Sequence, residues 1–121
     1  MIALRRSDRS YLRYLQMLRA VLEEFGPSLC ISYAILYRFS ENSCPLLLIR
    51  FEDERKDDEF HLRLELSTLL PMMRLDVYNI RDLPQDLANH VLRFGDPIYI
   101  RRYDDYVKDL ENSFNSANRR G

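Results

Sequence analysis

Among its 121 residues the sequence has no tryptophan, three glycines, two cysteines and only two lysines. Each scarcity removes a class of explanation. Gly26, Gly95 and Gly121 stand too far apart to build a loop whose bare backbone cradles phosphate, and no Gly-x-Ser-x-Gly elbow or Cys-His pair supplies an activated nucleophile. Cys30 and Cys44 are too few for a disulfide scaffold, and a bridge would suit an oxidising compartment that nothing else implies, so both read as unpaired thiols. No apolar run reaches bilayer length, and Arg5, Arg6, Asp8, Arg9 and Arg13 interrupt the first 20 residues before they can form a signal-peptide core. Cytoplasm is the expected compartment. An excess of either charge is also missing. With 18 basic and 19 acidic residues and a pI near 6.1, there is no global pull toward nucleic acid or an anionic membrane.

What is present is ordinary for a globular domain. Hydrophobic residues make up 46% and charged residues 31%, which predicts one domain over residues 1–121 with no linker or low-complexity segment. Between Asp8 and Phe25 the positions Tyr11, Leu15, Leu18, Leu22 and Phe25 recur at helical spacing, and Gly26-Pro27 ends the run. Cys30–Phe39 and Pro45–Phe51 are β-prone and flank a polar turn, which predicts a hairpin. A loop of Ser40 to Ser43 pairs Tyr37 with Leu46, Ile35 with Leu48 and Tyr33 with Arg50, and so separates the two cysteines. Alternation puts Ala34, Leu36, Leu47, Ile49 and Phe51 on one face and Tyr33, Ile35, Tyr37, Leu46 and Leu48 on the other.

After the charged stretch Glu52–Glu59, Asp57 or Asp58 is placed to cap a helix with Leu62, Leu66, Leu69 and Leu70 inward, stopped by Pro71. A strand from Arg74 to Ile80 follows. Pro84 opens the next helix, with Leu87, Ala88, Val91 and Leu92 inward and Gly95 closing it, and Pro97 begins a strand, since proline tolerates only an edge or a strand start. A last helix is expected to turn Tyr103, Tyr106 or Val107, Leu110 and Phe114 inward, with 115–121 fraying. The order is α-β-β-α-β-α-β-α: an α/β (α+β) fold with a mixed sheet backed by helices.

Several clusters invite a chemical reading and fall short of it. His61 and His90 have no Cys, Asp or Glu at ligand spacing, so they form no zinc site. Arg5, Arg9 and Arg13 line one helical face and offer RNA or an acidic partner some purchase, but a solvated face is the plainer expectation, and nucleic acid is not an expected partner.

The segment Leu75-Asp76-Val77-Tyr78-Asn79-Ile80, the loop to Pro84, and His90-Val91-Leu92-Arg93-Phe94-Gly95-Asp96-Pro97-Ile98-Tyr99-Ile100-Arg101-Arg102 resemble the second half of the minimal nucleotidyltransferases. The element order also matches that family's nucleotidyltransferase-like fold. The resemblance implies an antitoxin paired with a HEPN-domain ribonuclease toxin which, when active, transfers AMP from ATP to a toxin tyrosine. That transfer needs a Gly-Ser turn after the first strand and two aspartates one residue apart on the second, which hold magnesium together with a third on the next strand.

Here the Gly-Ser position, near Tyr37 to Ser40, has no glycine, and Cys44 and Leu46 stand where the paired aspartates should be. Only Asp76 matches, as the third carboxylate, a relic that alone cannot hold a hard cation. The expectation is therefore a catalytically degenerate pseudoenzyme without cofactor, which binds a HEPN-type toxin as a protein partner. Two alternatives stand beside it: an active adenylyltransferase using ATP and magnesium with displaced ligands such as Glu52, Asp53 and Asp76, and a homo-oligomeric structural subunit. The former metal face would carry Tyr33, Tyr37, Cys44, Leu46, Leu48 and Tyr78, an apolar surface expected to meet another chain.

Overall fold

A computed structural model describes residues 2–40, 44–52 and 75–120, with the side-chain environments of 12–40, 44–52 and 75–115. The expected helix bearing Leu62, Leu66, Leu69 and Leu70, its cap at Asp57 or Asp58, His61 and Asp53 lie outside the described residues.

Helix α1 spans Ile2–Phe25 and so begins six positions before Asp8. Leu18 and Leu22 of its stripe are completely buried, and Tyr14, Leu15 and Val21 pack alongside them. Gly26 follows the helix at a point where a side chain has no room: a Cβ would lie 2.3 Å from the Leu22 carbonyl oxygen and 2.6 Å from the Tyr99 ring. The chain then turns through Cys30, whose φ of 57° lies in the left-handed region.

Strands β1 (Ile31–Tyr37) and β2 (Leu46–Phe51) form the predicted hairpin in the predicted register, with Tyr37 opposite Leu46, Ile35 opposite Leu48 and Tyr33 opposite Arg50. Cys30 and Cys44 are unpaired at its opposite ends, as the register requires. Strand β3 is shorter than the sequence predicts, Asp76–Asn79, because the Asn79 side chain accepts a hydrogen bond from the Arg81 backbone N–H and turns the chain into a 3₁₀ helix at Ile80–Asp82. Helix α2 (Gln85–Phe94) starts after Pro84 and stops at Gly95, where a Cβ would come within 2.5 Å of Ile35 Cγ2. Strand β4 (Asp96–Ile100) and helix α3 (Tyr103–Arg120) complete the described elements, and α3 stays helical past Asn115, where fraying is expected.

The sheet has the order β3-β2-β1-β4. β1 runs antiparallel to both β2 and β4, and β3 runs parallel to β2, so the sheet is mixed. Pro97 sits on the edge strand and near its start, positions that tolerate a missing N–H.

Alternation divides the core as the sequence predicts. Ala34, Leu36, Leu47, Ile49, Phe51, Val77 and Ile98 pack under α1. Tyr33, Ile35, Leu46 and Leu48 pack with Val91 and Leu92 of α2 and with Tyr106 and Leu110 of α3. The expectation for α3 holds in part on this second face. Leu110 turns inward, and of the alternatives Tyr106 and Val107 it is Tyr106 that does so, but Tyr103 and Phe114 do not: Tyr103, Val107 and Phe114 are 66%, 45% and 50% exposed, while Tyr106, Asp109, Leu110 and a fully buried Ser113 form the inner side of α3. The physical cause is polar: Asp105 and Asp109 must face the sheet to reach Ser32, Tyr33 and Arg50, and this fixes the rotation of the helix.

Candidate functional site

Three strands carry the positions that matter for nucleotidyl transfer, and their registers set those positions in one row. Tyr37 of β1 lies opposite Leu46 of β2, and Leu46 lies opposite Asp76 of β3. The next row is Ile35, Leu48 and Tyr78, and the one after it is Tyr33 and Arg50. All of these point to the α2–α3 side of the sheet.

Among the described residues, the first row offers a metal one carboxylate. Asp76 is exposed, but its neighbour Leu46 is 5% exposed, has no ligand atom and is packed in the core. Cys44, at the other expected ligand position, is exposed. Among the described residues no three His, Cys, Asp or Glu side chains gather closely enough to bind a cation. At the start of the expected Gly-Ser position, Tyr37 is half-buried and tied to α2. Its hydroxyl is 2.7 Å from His90 Nε2 on α2, and its ring packs edge-on against Phe39. The described residues of this row therefore do not fit a pair of magnesium ions, since Asp76 is their one carboxylate.

Displaced ligands fare no better where they are described. Glu52 follows the end of β2, pairs with Arg101 at 3.5 Å, and sits at the opposite end of the strand from Asp76. At about 3.3 Å per residue, that is roughly 20 Å, too far for a shared cation.

The expected apolar interface needs correction. Tyr33 and Leu48 are fully buried and Leu46 nearly so, because α2 and α3 cover the face that carries them. Tyr37 is half-buried against His90; only Cys44 and Tyr78 are exposed. Both faces of the hairpin are apolar because both are interior, so these residues do not form a free surface.

Sequence reasoning missed a second group at the far end of the same face. Arg50 ion-pairs with Asp109 and approaches Asp105 at 3.8 Å. Tyr33 donates its hydroxyl to Asp109 Oδ2 at 2.7 Å, and Ser32 donates to Asp105 Oδ2 at 2.7 Å. Burial, then the Asp109 hydrogen bond and charge, push the Tyr33 pKa far above the ordinary tyrosine value. Burial alone would lower that of Arg50, but the hydrogen bond and charge of Asp109 outweigh it and raise it. A cleft of about 340 Å³ opens beside this group, lined by Arg50, Phe51, Glu52, Asn79, Ile80, Arg81 and Asp109. The signal was present in the sequence: an arginine inside an apolar strand, and two aspartates four residues apart on one helix.

No protein-family model and no curated protein matches the chain. Solved structures do. The toxin–antitoxin complex MntA–HepT matches at a TM-score of 0.63 and 15% identity, over 86% of this chain and 87% of that one. A tri-AMPylated Shewanella oneidensis HEPN toxin in complex with MNT antitoxin matches at 0.65 and 13%, over 87% of each chain. The fold is that of the minimal nucleotidyltransferase antitoxins. A toxin–antitoxin structure with AMP-PNP matches at 0.64 and 12%, over 84% of this chain and 87% of that one. The shared architecture fits the mixed sheet and, among the described residues, the element order predicted from the sequence. Among the described residues no helix is long and apolar enough to cross a membrane.

Proposed function

We propose that this chain is the antitoxin partner of a HEPN-type ribonuclease toxin and restrains it by contact rather than by transferring AMP. The observation that carries the reading is Leu46: on a fold shared with antitoxins solved in complex with HEPN toxins, the position beside Asp76 holds a core hydrocarbon instead of a carboxylate. Restoring chemistry there would require removing part of the α2–α3 core. With no glycine from Tyr37 to Ser40, the domain keeps the antitoxin scaffold while its described residues supply one carboxylate of the three the reaction uses.

The test is co-expression with the product of the neighbouring gene, where that gene encodes a small helical protein with an Arg-x-x-x-x-His motif. The chain should relieve the growth defect that protein causes and co-purify with it, and Asp76→Asn should do both equally well. Labelled ATP and magnesium should leave the toxin unlabelled. Transfer of label to a toxin tyrosine, lost in Asp76→Asn, would sink the contact mechanism and return the chain to the enzymes.

A further inference from the structure

We draw no further inference here: the strongest candidate, the apolar stripe of Tyr103, Val107 and Phe114 that α3 turns away from the sheet beside the exposed Phe94 of α2, carries none because nothing in the structure shows what covers it.

Discussion

The two faces of the sheet are closed by different physics. Under α1 the core is hydrocarbon: Leu18, Leu22, Leu36, Leu47, Ile49 and Val77 meet with little polar interruption. Under α2 and α3 a comparable apolar cluster ends in a group of ion pairs and hydrogen bonds joining Ser32, Tyr33 and Arg50 to Asp105 and Asp109. Hydrophobic burial is non-directional, so the first face tolerates small rotations of its helix. The second does not, since its polar partners fix both the rotation and the depth of α3. The difference explains why the same chain has one helix oriented by its apolar stripe and another oriented against it.

The largest effect should come from putting a carboxylate back beside Asp76. Leu46 lies inside the second face, so Leu46→Asp buries an unpaired charge and should cost upwards of about 3 kcal/mol, enough to unfold a marginal domain. Urea denaturation followed by circular dichroism measures it. Normal stability would mean that α2 and α3 do not cover this position.

Neighbours in sequence but on opposite faces give the next comparison. Leu47 and Leu48 are both fully buried, one under α1 and the other under α2 and α3. Each change to alanine should cost about 2–5 kcal/mol, and the two should be similar. A much smaller loss for Leu48→Ala would show that the second face relies on its polar group instead of its packing.

That polar group is next in size. Asp109→Ala leaves the Arg50 guanidinium and the Tyr33 hydroxyl short of an acceptor and should cost about 1–3 kcal/mol. Asp105→Ala should cost less, since its Arg50 contact is the longer one, at 3.8 Å. Equal losses would mean that the contact to Ser32 matters as much as the ion pair.

Legibility in the sequence followed the same division. The hairpin register, the face assignment and the α2 boundaries were readable because period-two alternation, Pro84 and Gly95 each act locally. The rotation of α3 was readable only in part: Leu110 and the alternative Tyr106 do face inward, but Tyr103 and Phe114, at spacings as regular as those of a core stripe, do not. What decides against them is Arg50, 55 positions before Asp105 and 59 before Asp109, and pattern reading along one helix does not register a partner on a distant strand. At the candidate site the sequence placed Leu46, Leu48, Tyr33, Tyr37, Asp76 and Tyr78 on one face correctly. It took that face for a surface, because apolar residues on both sides of a hairpin do not say which helices cover them.

The smallest effect is a change with pH rather than a loss, and it isolates Tyr33. Its hydroxyl pKa is raised in the folded state, first by burial and then by the carboxylate of Asp109, so the folded protein holds a proton that the unfolded chain releases near pH ~10. The stability this contributes is complete below the unfolded value and is lost as pH rises above it, by at most about 1.4 kcal/mol per pH unit. Tyr99 and Tyr106 are also raised by burial, so wild type alone does not identify the residue. Tyr33→Phe does. At pH 8 the variant should be less stable by about 0.5–1.5 kcal/mol, the usual value of one hydrogen bond, and the gap should narrow and then reverse as pH rises past that of free tyrosine. Urea midpoints for both proteins at intervals from neutral to strongly alkaline pH measure the gap. A constant gap across that range would mean that Tyr33 ionises as easily folded as unfolded, and that α3 does not seal this end of the sheet.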